Sequence, residues 1–344
     1  MRNFTYGHAA SIGDAVSAAA GGAALAAGTT ELLNWMRLGI AHPERVVDVS
    51  RLPELDGIRA EGGRLVIGAL ATLGAVGAHA LVRERAPVLA EACLRAASPQ
   101  LRNRATLGGN VLQRTRCPYF RAEAPVPERM PWACNKRVAG SGCSALEGGW
   151  DRAALFGWTD ACVATQPSDP AVALSALGAE AEIQGPRGVR RIAMNAFHLT
   201  QEEAARTAPT SNTAAFGVET QLRSDEIILR YHVPADAASR RSAYLKVRER
   251  ESYEYAMVSA AACLDATDGR IRQLRLALGS VAQKPMRLTE AEARLRDAPL
   301  SEATIRAAIV AALGAARPLP GQAWKTKLVE NAAVRAVLTA GGIA

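Results

Sequence analysis

The chain has 344 residues, 49% hydrophobic and 22% charged, with a formal net charge of +8 from 41 basic and 33 acidic residues. That length predicts about two domains with sizeable cores, and the balanced composition excludes a mostly disordered chain. No uncharged apolar run reaches the roughly 18–20 residues of a membrane span, and sparse aromatics with dispersed Lys and Arg argue against a nucleic-acid surface.

In chain order, Ser11 and Asp14 read as a capping box opening a short Ala-rich helix. A short strand at 23–26 runs into Ala27-Gly28-Thr29-Thr30-Glu31, then a helical pattern through Leu32, Leu33, Trp35, Met36 and Leu38. Residues 46–49 form another strand, broken at Leu52-Pro53. A hairpin follows, with Gly62-Gly63 turning between 57–61 and 65–68. Thr72 starts a helix that Pro87 divides, its second part running through Leu94. Beyond a cysteine-rich stretch, 169–177 is helical, and 181–184 and 189–194 form a hairpin about Gly185-Pro186-Arg187-Gly188. Strands continue at 226–233, 243–247, 256–264 and 271–278. The end is helical: Thr289 with Glu292 reads as a second capping box, and helices at 301–313 and 325–338 follow. The class is α+β with antiparallel hairpins.

The six cysteines are unevenly placed. No apolar stretch follows Arg2 to make a signal peptide, so a disulfide framework is not expected, and on its own sequence the chain is expected in the cytoplasm. Cys117, Cys134, Cys143 and Cys162 fall in one loop-like stretch rich in Pro, Gly, Arg and Trp. Four thiolates in loops suit an iron–sulfur cluster or a structural zinc. Their spacing matches neither common zinc fingers nor ferredoxins, so a metal centre and a set of buried thiols both stay open. Cys93 and Cys263 lie in apolar periodic contexts and read as small buried hydrophobes. The histidines, His8, His42, His79, His198 and His232, form no spaced cluster. No Ser/His/Asp set or carboxylate pair stands out, so no catalytic residue is expected in this chain.

Two loops fit an anion. Ala27-Gly28-Thr29-Thr30 joins a strand to a helix start, where unpaired N–H groups and the helix dipole favour a diphosphate. An ordinary capped helix is the alternative, and the lack of GxGxxG disfavours a Rossmann fold. The second loop, 102–113, holds Gly108-Gly109 for close backbone approach. Thr106 and Asn110 supply polar contacts, and Arg102, Arg104 and Arg114 can balance phosphate charge. The alternative there is a Gly-Gly turn between strands.

Ala27-Gly28-Thr29-Thr30-Glu31-Leu32-Leu33 followed by Met36-Arg37, then Leu101-Arg102-Asn103 with Ala105-Thr106-Leu107-Gly108-Gly109-Asn110, resembles the FAD-binding subunits of the xanthine dehydrogenase and aldehyde oxidoreductase family, the molybdenum hydroxylases. The resemblance continues through Gln166-Pro167-Ser168-Asp169, Asp225-Glu226-Ile227-Ile228 and Tyr244-Leu245-Lys246-Val247-Arg248-Glu249-Arg250, covering essentially the whole chain. Residues 114–121, with Cys134-Asn135-Lys136-Arg137 and Gly140-Ser141-Gly142-Cys143, are similar to the insertion that carries a [4Fe–4S] cluster in the periplasmic aldehyde oxidoreductase branch. One position departs: the family's first loop is usually Ala-Gly-Gly-Thr, and Thr29 stands at the second Gly. If that position needs a positive φ, either the loop holds Thr under strain or its grip is altered.

The resemblance implies a two-subdomain FAD-binding fold of the vanillyl-alcohol-oxidase (PCMH) type plus a C-terminal α+β domain of the CO dehydrogenase flavoprotein type. The expected division is 1–55, 56–236 with an iron–sulfur insertion at about 114–165, and 237–344. It implies an FAD site of Ala27, Gly28, Thr29, Thr30, Glu31 and Leu32, of Thr106, Gly109, Asn110 and Gln113, and of Asp169, Ile228 and Lys246. Glu31 is expected to turn its side chain outward. Cys117, Cys134, Cys143 and Cys162 would ligate the [4Fe–4S] cluster, with Arg114, Arg116, Arg121, Lys136 and Arg137 offsetting its charge. The implied function is electron transfer, from a [2Fe–2S] small subunit through FAD to a terminal acceptor, beside a molybdopterin-containing large subunit. Export to the periplasm would then require a signal-bearing partner. A freestanding FAD oxidoreductase and a redox-inert zinc module are the alternatives.

Overall fold

In the computed structural model, which describes residues 1–124, 129–207 and 217–343, β1 (Thr5–His8), β2 (Ala24–Ala26) and β3 (Arg45–Asp48) form a parallel sheet in the order β1-β3-β2. Parallel strands need crossovers, and helices Ile12–Ala20 and Leu32–Arg37 supply them. Ser11 Oγ accepts the Asp14 N–H at 3.1 Å, and the Asp14 carboxylate accepts the Ala10 N–H at 3.2 Å, so the first helix starts as its sequence predicts.

β4 (Ile58–Glu61), β5 (Arg64–Gly68), β6 (Glu180–Gly185), β7 (Gly188–Ala193) and β8 (Ile227–Pro234) form an antiparallel sheet ordered β4-β5-β8-β6-β7. β8 is nearly continuous in apolar residues because both of its faces are covered. Ile227 and Leu229 pack with Leu55 and Val47 of the first sheet's core, while Ile228 and Tyr231 enter the main core with Leu65, Leu89 and Leu174.

β9 (Ser242–Val247), β10 (Val258–Thr267), β11 (Arg270–Gly279) and β12 (Met286–Arg287) form a third, antiparallel sheet. Helix Ala323–Gly341 covers one face, burying Val329 and Val337 against Leu276 and Leu278. Ala261, Cys263 and Ala277 face the other way and join Cys93 in the main core, fully buried as their apolar contexts predict. Among the described residues, no helix is long and apolar enough to cross a membrane.

Three local expectations change. Residues 73–95 hold three helices, Leu73–Ala78, Ala80–Arg85 and Pro87–Arg95, because the chain turns at His79 as well as at Pro87. Helix Thr289–Arg294 has no capping box: Leu288 is its N-cap. Glu292 is drawn away, accepting the Leu276 N–H at 2.9 Å and pairing with Arg287 at 2.6 Å. Gly108 and Gly109 lie inside a short helix, Leu107–Val111, rather than in a turn between strands.

The cysteine-bearing segment leaves the fold after Gln113 and rejoins it at Gln166, whose side-chain amide donates to the Gln113 carbonyl at 3.0 Å. It has its own small core, in which Phe120, Ala153 and Val163 are fully buried, with Trp150 and Trp158 partly buried around them. Residues 125–128 of this expected insertion lie outside the described residues, as do 208–216.

Candidate functional site

β2 delivers the chain into the first loop, and Gly28 decides how that loop sits. A Cβ at Gly28 would lie 1.9 Å from the Arg104 carbonyl oxygen. The first loop therefore rests directly on the backbone that leads into the second. Thr29 has φ 61°, so the departure from glycine keeps the left-handed conformation, at a cost of about 1–3 kcal/mol. The Thr29 hydroxyl donates to the Gly28 carbonyl at 2.8 Å. From Thr29 to Leu32 the backbone N–H groups find no acceptor among the described residues, which leaves them to solvent or a ligand.

The second loop is the opposite case. Thr106 Oγ1 accepts the Gly109 N–H at 3.2 Å, and the Gly108 and Leu107 N–H groups reach the Ala69 and Ala71 carbonyls, each at 2.9 Å. Its amides are satisfied internally, so its contribution is a wall without side chains. Between the loops and β8 runs a cleft of about 630 Å³. Ala27 to Leu32, Thr106, Gly109 and Ile228 all line it, as do Trp35 and Arg114, and so does Glu219, which no sequence motif marked.

Asn110, Gln113, Asp169 and Lys246 do not line the cleft but brace its wall. Ser168 Oγ donates to Asn110 Oδ1 at 2.7 Å. Asp169 is buried, accepting Tyr244 Oη at 2.6 Å and Lys246 Nζ at 2.8 Å. Gln113 Oε1 accepts from Arg116 at 2.9 Å. Of the arginines expected to balance phosphate charge, Arg114 alone lines the cleft. Arg102 donates to the Ala96 carbonyl at 2.9 Å, Arg104 is exposed, and Arg114 makes a forked contact with Glu219 at 3.2 Å. Glu31 does not turn outward: it pairs with Arg116, and with Arg121 at 2.8 Å.

All four cysteines of the loop-like segment line one small cavity, and Cys93 and Cys263 do not. Cys134 and Cys143 face each other across an isolated antiparallel bridge. Asn135 stitches three of the cysteine-bearing pieces together: Nδ2 donates to the Ala161 carbonyl at 2.8 Å, and Oδ1 accepts the Gly142 N–H at 3.0 Å. Backbone N–H groups of Tyr119 and Phe120 reach the Cys117 sulfur, those of Lys136 and Arg137 reach Cys134, and that of Ala164 reaches Cys162. Burial pushes the free thiols up, Cys117 to about 12 and Cys162 to about 11. Among the described residues, no three His, Cys, Asp or Glu groups draw together as a single ion requires.

Residues 2–236 match the family described as the FAD binding domain in molybdopterin dehydrogenase, and residues 243–340 the CO dehydrogenase flavoprotein C-terminal domain. The chain belongs to the FAD-binding subunits of the molybdopterin dehydrogenases. The aldehyde oxidoreductase FAD-binding subunit PaoB of Escherichia coli is 41% identical over 299 residues, 86% of each chain. The carbon monoxide dehydrogenase medium chain of Hydrogenophaga pseudoflava is 27% identical over 97% of this chain and 96% of its own. A solved structure of carbon monoxide dehydrogenase from that organism superposes with a TM-score of 0.74, at 26% identity, over 99% of this chain and 98% of that one.

Two features of this FAD-binding subunit make direct predictions. Thr29→Gly removes the strain of a β-branched residue at positive φ, partly offset by glycine's greater freedom when unfolded. It is expected to raise the unfolding free energy of the flavin-free chain, read from urea titrations, by about 1 kcal/mol. A lower midpoint would mean that the Thr29 hydroxyl contact outweighs the strain.

The second is acid sensitivity. His198 is buried beside the second loop. Its Nε2 donates to the Val111 carbonyl at 2.9 Å, its Nδ1 has no partner among the described residues, and burial pushes its pKa down from 6.5 to about 4. Burial opposes ionisation of Glu219, but Lys136 and Arg114 outweigh it and hold the carboxyl near 2 instead of 4.5. Both groups bind fewer protons folded than unfolded, so both favour folding at higher pH. The His198 contribution is complete above 6.5 and is lost as pH falls through 4; that of Glu219 is complete above 4.5 and is lost through 2. Stability should decline by about 3 kcal/mol between pH 6.5 and 4. His198→Gln keeps a donor for the Val111 carbonyl without titrating, and should flatten that decline in urea titrations.

Proposed function

We propose that this chain is the FAD-carrying electron-transfer subunit of a molybdenum-containing aldehyde oxidoreductase, and that it also holds a [4Fe–4S] cluster on Cys117, Cys134, Cys143 and Cys162. Its partners are a [2Fe–2S] small subunit and a molybdopterin-containing large subunit. The observation that carries the FAD assignment is the row of unsatisfied N–H groups from Thr29 to Leu32, held against the second loop by Gly28. Those groups bind the diphosphate. Gly109 lets it approach, Ile228 packs on the flavin ring, and Asp169 with Lys246 fixes the second loop through Ser168 and Asn110. When bound, FAD exchanges electrons singly or in pairs.

The cluster reading is supported by four thiols around one cavity and by backbone N–H groups aimed at three of the sulfurs. Such hydrogen bonds stabilise thiolates and tune a cluster. Single Cys→Ser variants of the full chain, purified without oxygen, test it by iron, sulfide and flavin content. Changes at Cys117, Cys134, Cys143 and Cys162 should remove most iron while leaving some FAD, and changes at Cys93 and Cys263 should keep both. Iron retained in Cys143→Ser and lost in Cys93→Ser would sink the assignment. Zinc in place of iron would return the structural-metal alternative. The substrate chemistry lies in the large subunit, so the isolated chain should reduce no dye with an aldehyde.

A further inference from the structure

Four of the five cations expected to offset the charge at the cysteines pair with two carboxylates that line the cleft. Glu31 takes Arg116 and Arg121, the residues on either side of the Cys117 turn, with Trp35 Nε1 donating to the same carboxylate at 2.9 Å. Glu219 takes Arg114 at 3.2 Å and Lys136 at 2.7 Å, and Lys136 lies two residues after Cys134. The fifth cation, Arg137, donates to the Phe120 and Ala122 carbonyls at 2.9 Å and to the Gly39 carbonyl at 3.0 Å. The Glu31 clamp also reaches the third sheet, because the Arg116 guanidinium lies 4.3 Å from the Tyr255 ring centre. Its side chains are 14–22% exposed, so solvent screens these pairs only in part.

Glu31 belongs to two structures at once. Its backbone N–H is one of the unsatisfied groups of the first loop, and its side chain fixes both ends of the turn that bears Cys117. Two guanidinium groups meet one carboxylate there, leaving a positive surplus beside a cleft that would take a dianionic diphosphate. An anion in the cleft stabilises that surplus and so favours the docked cysteine segment. By linkage, the docked segment favours the anion equally.

We propose that Glu31 and Glu219 are positioning residues that couple the FAD cleft to the cysteine-bearing segment, so that filling the cleft holds the segment closed. The coupling rests on the FAD reading of the cleft and not on any cluster. The test uses the full chain, treated with a chelator so that the thiols are free, with and without saturating FAD. Alkylation of each cysteine by iodoacetamide is followed by peptide mass spectrometry. In the wild-type chain FAD should slow alkylation of Cys117 and Cys134 roughly five-fold or more. Cys93 and Cys263, in the main core, should respond equally little in every form.

In Glu31→Gln and Glu219→Gln, at flavin occupancy verified by absorbance, the protection should fall below about two-fold. Arg121→Gln cuts the Glu31 clamp from the far side without touching the cleft lining, and should give the same loss. A purely structural role for these pairs would raise alkylation with and without FAD alike, leaving the ratio unchanged. Undiminished protection in the variants, or none in the wild-type chain, overturns the coupling. A wild-type chain that takes up no flavin is the separate failure of the FAD reading, and it withdraws the coupling with it.

Discussion

Gly28→Val should yield a chain that folds but retains no FAD. Even the first carbon of a side chain would fall 1.9 Å from the Arg104 carbonyl oxygen, and the opposing atom is backbone, which cannot swing aside. The two loops would have to part by more than an ångström, and misplacement on that scale costs about 100-fold where several groups must meet one ligand. Gly109→Val is the informative contrast. A Cβ there meets only the Thr106 hydroxyl oxygen, at 3.0 Å, so the fold should tolerate it. Its side chain would still stand in the cleft, so flavin should be lost with little change in the urea midpoint, whereas Gly28→Val should lose flavin and also lower the midpoint. Normal flavin absorbance in purified Gly28→Val would remove the first loop from the site.

Lys246→Met should destabilise the chain by about 3–5 kcal/mol, the usual consequence of breaking a buried ion pair from one side. The side chains of Lys246 and Asp169 are 1% and 6% exposed. Without the ammonium, the Asp169 carboxylate keeps only the Tyr244 hydroxyl as a side-chain partner among the described residues. Asp169→Asn in the Lys246→Met background should recover much of the loss, because the uncompensated charge is the main penalty. Tyr244→Phe removes the hydrogen bond to the charged Asp169 together with the hydroxyl contact to Ser259, and should cost about 1.5–3 kcal/mol. Urea midpoints across the set decide the matter. A Lys246→Met chain within about 0.5 kcal/mol of wild type would mean that the pair is not buried in solution.

Much of this architecture is legible in the sequence because its signals are local. The Ser11 cap, the Gly62-Gly63 hairpin, the helix after Ser168 and the apolar strand around Ile228 each follow from a few adjacent residues. The positive φ at Thr29 is also readable, since the question arises wherever a threonine stands at a family glycine. Side-chain partners across long separations are not readable in this way. Glu219 belongs to no motif, and only folding brings it to Arg114 and Lys136. Tyr255 meets Arg116 through a strand connection of the third sheet. The partners of the segment's cations were hidden for the same reason: charge counts show that arginines lie near the cysteines but not which carboxylates pair with them. Asn135 was visible in the run Cys134-Asn135-Lys136-Arg137, yet its bonds to Ala161 and Gly142 depend on where two later loops return.

The tryptophans are distributed so that the protein carries two separate optical reporters. Trp35 lines the cleft, whereas Trp150 and Trp158 stand around the core of the cysteine-bearing segment, and Trp132 makes an edge contact with Tyr119 beside the cavity. Trp324 lies at the start of the last helix and is 39% exposed. Emission from Trp35 would be quenched by energy transfer to a flavin in the cleft. Emission from the other group would respond chiefly to whatever fills the cysteine cavity. With Trp35 replaced by Phe, the fluorescence of the intact chain becomes a read-out weighted toward the cysteine segment, and the difference from wild type a read-out of the cleft.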